Sequence, residues 1–124
     1  MNKVYSPQGQ GIYGGTIAFR DSTVTNSVET MLDRPMNLYK ALINNPCATI
    51  VYFNMWDVES ATVVTPGVTP ITRQIPIPIN GMSFVDYDPP ACFTKGCKYN
   101  ASTNVDGTGA PGSTVILSSA EYFG

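Results

Sequence analysis

Two close pairs of carboxylates are where this chain could do chemistry: Asp86-Tyr87-Asp88 and Asp57-Val58-Glu59. Carboxylates two residues apart on an extended strand share a face. Such a pair can divide acid and base roles in glycoside hydrolysis, or hold Ca²⁺ with help from carbonyls. The chain has no histidine, which excludes Ser-His-Asp and Cys-His sites and removes the commonest metal ligand. Asp88 runs directly into Pro89-Pro90, and Asp is a favoured turn residue beside such a break. A turn or solvent role therefore outweighs catalysis for Asp86 and Asp88. No catalytic residue, metal ligand or cofactor is assigned, and the chain is not expected to be an enzyme.

The remaining reactive or adhesive groups are few. Trp56 is the single tryptophan; with the tyrosines it could stack on a sugar ring, but packing or a subunit interface suits it better. Asp106-Gly107-Thr108-Gly109 looks like a phosphate loop, yet lacks the strand–loop–helix setting and a following lysine. The cysteines are Cys47, Cys92 and Cys97, an odd count that argues against a disulfide framework. Cys92 and Cys97 either pair across a tight turn under oxidation or stay free thiols packed as small hydrophobes.

The surroundings of these groups set further bounds. At 124 residues the chain fits one domain with a real core. Charged residues make up 13%, against a usual share of about 25%. So low a charge suits a surface that lies against other protein, although many small Thr/Ser/Asn-rich β domains share it. The net charge is −2 and the basic residues are scattered, so no stripe neutralises phosphates and direct nucleic-acid binding is not expected. No apolar run approaches the roughly 18 residues of a membrane span. The first fifteen residues, MNKVYSPQGQGIYGG, lack the apolar core of a signal peptide. The expectation is synthesis in a cytoplasm or exit by a route other than secretion.

The elements that must position these groups read as strands. Apolar pieces rich in Val, Ile, Thr and aromatics are short and bounded by Gly, Pro, Asn or Asp. Residues 1–35 begin with a Gly/Gln-rich lead-in, followed by strand-like pieces at 15–20 and 23–30 and a turn at 31–35. In 37–43, Leu38, Lys40 and Leu42 alternate with Tyr39, Ala41 and Ile43. In 49–56, Val51, Phe53 and Met55 form the purer apolar set and are expected in the core, with Tyr52, Asn54 and Trp56 facing out or toward a neighbour. The run IPIPI at 75–79 places Ile75, Ile77 and Ile79 inward on an edge strand, because proline cannot donate to a ladder. Asn80-Gly81 signals a tight turn into 82–87, and Asp88-Pro89-Pro90 is expected to break the chain. After a short element at 93–101, a polar Gly-rich loop at 102–113 precedes a last strand over 114–123. In that strand Val115, Leu117, Ser119 and Glu121 oppose Ile116, Ser118, Ala120 and Tyr122. Seven to nine strands with turns every ~8–12 residues predict an all-β fold. The expected form is an antiparallel, jelly-roll-like β-sandwich over 36–124, with 1–35 as an extended N-terminal arm and leading strands.

The order of these pieces resembles a β-sandwich family of bacteriophage virion proteins, found as head decoration (cement), head-fibre and tail-associated modules. The matching pieces are LINN at 42–45, YFNMWD at 52–57, TPGVTPI at 65–71, QIPIPING at 74–81, CFTKG at 92–96, NASTNVDGTGAPG at 100–112 and VILSSAEYF at 115–123. They cover about two-thirds of the chain and include no catalytic motif; the leading 35 residues and Cys92 and Cys97 depart from the pattern. The resemblance implies a homo-oligomer, a trimer, on the outer surface of the head, whose partners are the major capsid protein and itself. The alternative is a tail, baseplate or head-fibre module that recognises a host surface or glycan. A small carbohydrate-active enzyme using Asp86 and Asp88 is the third reading. Tyr5, Ile12, Tyr39, Tyr52 and Trp56 are the interface candidates.

Overall fold

Runs of β-branched and aromatic residues punctuated by turn formers settle into nine strands, and the described residues contain no helix. The computed structural model describes residues 3–11 and 14–123, with side chains at 3–6 and 16–123. The strands are β1 (Lys3–Gly11), β2 (Gly14–Val24), β3 (Glu29–Leu32), β4 (Met36–Asn44), β5 (Val51–Trp56), β6 (Arg73–Ile77), β7 (Met82–Phe93), β8 (Cys97–Ser102) and β9 (Val115–Phe123).

They form two sheets, one of five strands in the order β1-β2-β9-β4-β7 and one of four in the order β3-β8-β5-β6. Four of the antiparallel pairs are β2 with β9, β3 with β8, β4 with β7, and β5 with β6. The chain is therefore one long folded-back ribbon, β2 to β5 out and β6 to β9 back. Successive rungs of that ribbon fall alternately in the two sheets. This is the jelly-roll topology, with β1 added beyond β2. The expected antiparallel sandwich is what the chain adopts. Residues 3–32 do not stand apart from it: β1 and β2 lie in the five-stranded sheet and β3 in the four-stranded one.

The core lies between the sheets. Phe19, Leu38, Ile43 and Leu117 face Phe53, Met55, Ile77 and Tyr99, all essentially buried. Phe19 meets Tyr99 edge-on at 5.7 Å, and Phe53 stacks on the same ring at 5.7 Å. Burying side chains of this size contributes about 1.5–3 kcal/mol each. The Tyr99 hydroxyl donates to buried Asp21 at 2.5 Å, so the two inward polar groups satisfy each other. Asn45, from the LINN turn, is buried too; its amide donates to the carbonyls of Thr49 and Pro78 and ties the β4–β5 turn to the end of β6.

Several expectations about faces are corrected by bulges. Leu38 is buried together with Ala41 and Ile43, because the register of β4 shifts between Leu38 and Lys40. In β9 the buried set is Val115, Leu117, Ala120 and Tyr122, because the pairing shifts between Leu117 and Ser119. One extra residue in a strand swaps every later side chain to the other face. Asp88-Pro89-Pro90 does not end β7. Ala91 pairs with Leu38 and Asp86 with Lys40, so residues 87–90 pass through a bulge where no ladder donor is required; the Asp88–Pro89 peptide is cis. The edge-strand expectation for β6 holds, with Ile75 and Ile77 inward. Ile79 lies beyond the strand and is exposed, contrary to its expected inward place. The Asn80-Gly81 turn leads from β6 in one sheet to β7 in the other.

Candidate functional site

The groups with chemical potential are mostly consumed by the fold. Asp57, at the end of β5, accepts hydrogen bonds from the Thr94 N–H at 2.9 Å, the Thr94 hydroxyl at 3.0 Å and the Lys95 N–H at 2.8 Å. Burial alone would raise its pKa, but these bonds outweigh it and hold the carboxyl below the usual range. Asp57 is thus the clasp of the β7–β8 turn. Asp106 caps its own loop through Thr108, and those bonds lower its pKa; the Asp-Gly-Thr-Gly sequence is a folded turn. Asp86 and Asp88 are exposed on β7. The described residues contain no group of three or more side chains able to hold a metal ion. All three cysteines are free. Cys97 is buried, and burial followed by the Asp57 charge pushes its thiol well above the ordinary value, whereas Cys92 is exposed.

The interface candidates do not converge. Tyr5 is half-exposed on edge strand β1, and its hydroxyl donates to the Met31 carbonyl at 2.7 Å. Tyr39 is half-buried at the β4 bulge, with the Lys40 ammonium 5.8 Å from its ring centre. Tyr52 is half-buried on the four-stranded sheet. Ile12 lies outside the described residues. Trp56 and Asn54 do share the face of β5 opposite the core, but both are 0% exposed, which corrects their expected outward presentation. Loops 57–72 and 103–114 fold over that face. The Trp56 indole donates to the Thr69 carbonyl at 3.1 Å, and the loops join where the Gly67 N–H donates to the Asp106 carbonyl at 3.0 Å. Beneath them the Asn54 amide donates to Asn100 and Ser102, each at 2.8 Å, and accepts from Gln74 at 2.7 Å.

The five-stranded sheet presents a different outer face. Its register sets Met82 opposite Asn44 and Phe84 opposite Leu42 on one side of β4, with Ile116 opposite Asn44 on the other. Met82 is 57% and Phe84 60% exposed, Ile116 is exposed, and Leu42 is half-exposed. Apolar side chains this large, adjacent and in solvent mark an interaction surface more often than a fold requirement. Sequence reading missed this patch because MSFVDY alternates two apolar sets, Met82 and Phe84 against Val85 and Tyr87, and nothing local says which faces water.

A cleft of ≈ 630 Å³ opens where β1, the end of β3 and the C-terminal part of β9 meet. Met31, Leu32 and Ile17 give it an apolar floor; Tyr5, Asp33 and Arg34 border it.

Together these features describe a jelly-roll sandwich, with one sheet face closed by loops and the other carrying exposed apolar side chains. No family model, no curated protein and no solved structure matches the chain.

Proposed function

We propose that the protein is a bacteriophage virion structural protein, a head decoration (cement) protein that binds and stabilises the lattice of the major capsid protein. The observation that carries the reading is the set of exposed Met82, Phe84 and Ile116 around partly buried Leu42 on the five-stranded sheet, in a jelly roll whose pieces resemble in their order those of that family. Exposed apolar side chains on a sheet face, flanked by Lys40, Asp86 and Glu121, suit docking across other subunits. Stabilisation follows from mass action: each copy binds the assembled shell and not the free subunit, and so shifts the balance toward the intact shell. We propose a homotrimer as the unit that docks.

Quantitative mass spectrometry of purified virions tests this. A ratio near one copy per major capsid protein, or one trimer per lattice three-fold, is expected. Virions lacking the protein should lose heat and osmotic resistance; retained resistance overturns the cement role. The second reading, a tail, baseplate or head-fibre module that recognises a host surface or glycan, is favoured by the polar-rimmed cleft beside Tyr5. It requires only a handful of copies per particle.

A further inference from the structure

We infer that the cleft bordered by Tyr5, Asp33 and Arg34 is a saccharide-binding site for a neutral hexose or N-acetylhexosamine unit. A pyranose has one C–H-rich face and a rim of hydroxyls, so its receptor needs a fixed aromatic ring and convergent polar groups. Tyr5 supplies the ring. It is 50% exposed yet held on two sides, by its hydroxyl bond to the Met31 carbonyl at 2.7 Å and by Phe19, whose ring centre is 4.8 Å away. A stacking surface fixed in this way loses little entropy when it is covered. Asp33 and Arg34 supply the rim. Both are exposed at the β3–β4 turn and both line the cleft. A carboxylate accepts from, and a guanidinium donates to, the vicinal hydroxyls of a sugar, and such charge-assisted bonds are the stronger kind.

The ligand class follows from size and charge. At ≈ 630 Å³ the cleft lies within the ~300–1,000 Å³ range of small-ligand sites, enough for one or two sugar rings. The opposite charges of Asp33 and Arg34 cancel, so an acidic or a basic ligand would meet one repulsive neighbour. Tyr122 lines the same cleft as Tyr5 and Arg34. The inference deepens the glycan-recognising reading. It is tested separately from location, because sugar binding is read on the purified chain and location on copy number.

The test is a titration of the full chain with methyl glucoside, methyl galactoside, methyl N-acetylglucosaminide and methyl glucuronide, followed by amide chemical shifts. Shifts confined to the residues that line the cleft, Tyr5 above all with Ile17, 30–34, Ser60 and Tyr122, with at least one neutral glycoside, are the expected result. Arg34→Ala and Asp33→Asn, both at exposed positions, should each weaken binding by about tenfold with the melting temperature unchanged. Tyr5→Ala, which removes the ring from an edge strand, should abolish detectable binding, and unchanged binding by it overturns the stacking role. The site is overturned if no glycoside shifts these residues at millimolar concentration, if the shifts fall elsewhere, or if both rim variants bind as well as wild type. Preferential binding of the glucuronide overturns the neutral class.

Discussion

At the scale of single residues, polar side chains act mainly as clasps, and their removal is expected to show in stability. Asp57 is the clearest case. Its folded pKa lies below the unfolded value, because hydrogen bonds from Thr94 and Lys95 outweigh the burial that would raise it. The clasp therefore contributes stability above the unfolded carboxylate pKa, and that contribution is lost as pH falls through the folded one. Denaturant midpoints measured from about pH 5 to pH 2 should fall more steeply in wild type than in Asp57→Asn. Tyr99 works in the opposite sense. Burial, then the bond to Asp21, raises its pKa, so its contribution is present below the unfolded value of about 10 and declines as pH rises above it. Tyr99→Phe leaves a buried Asp21 oxygen without its donor and should cost about 1–3 kcal/mol at neutral pH, with a flatter alkaline limb. Gly96 is required by space: a Cβ there would sit 2.8 Å from the carbonyl oxygens of both Leu32 and Val58. Backbone cannot swing aside as a flexible side chain can, so Gly96→Ala should cost about 1–3 kcal/mol in equilibrium unfolding.

At the scale of elements, the two loops over the four-stranded sheet act as a second packed layer centred on Trp56. Its indole is covered by Gly107, where a Cβ would come within 3.4 Å of the ring, and is bonded to Thr69. Trp56→Ala should destabilise by about 3–5 kcal/mol. As the single tryptophan, Trp56 reports its own burial: iodide should quench native fluorescence weakly and unfolded fluorescence strongly. Efficient native quenching would return Trp56 to the surface. The strand edges carry their own logic. Pro76 interrupts β6, Pro89 and Pro90 interrupt β7, Pro7 lies in β1, and β3 has only four residues. Such edges resist strand-to-strand addition, which leaves faces and loops as the surfaces for assembly.

At the scale of the whole molecule, the sandwich is asymmetric, with loops closing one outer face and apolar groups exposed on the other. Phe84→Asp removes a side chain that is 60% exposed, so the monomer's stability should change by no more than about 0.5 kcal/mol. On the proposed decoration role, its sedimentation with shells of the major capsid protein should fall at least about tenfold. Equal binding by the variant would move the docking surface off this face.

Much of the architecture was legible in the chain. Alternation and turn residues predict strands throughout and a jelly-roll-like sandwich, and proline chemistry puts Ile75 and Ile77 on an edge strand but does not show that it ends before Ile79. The core set Val51, Phe53 and Met55 was legible for the same reason: period-two patterning is local. What failed was whatever depends on distant partners. The β4 and β9 bulges changed the buried faces of both strands, and a bulge shows only in how one strand pairs with another. The loops that bury Trp56 come from two separate stretches of chain, so its face looked exposed when read alone. Tyr5 stands out in the sequence as an aromatic on the leading segment, but Asp33 and Arg34 are almost thirty residues from it and Tyr122 far beyond. Local spacing determined that this protein is a strand-built sandwich. Only the ribbon's folding back decided which apolar side chains stay in water and which polar ones gather round a cleft, because both depend on the register between strands distant in sequence.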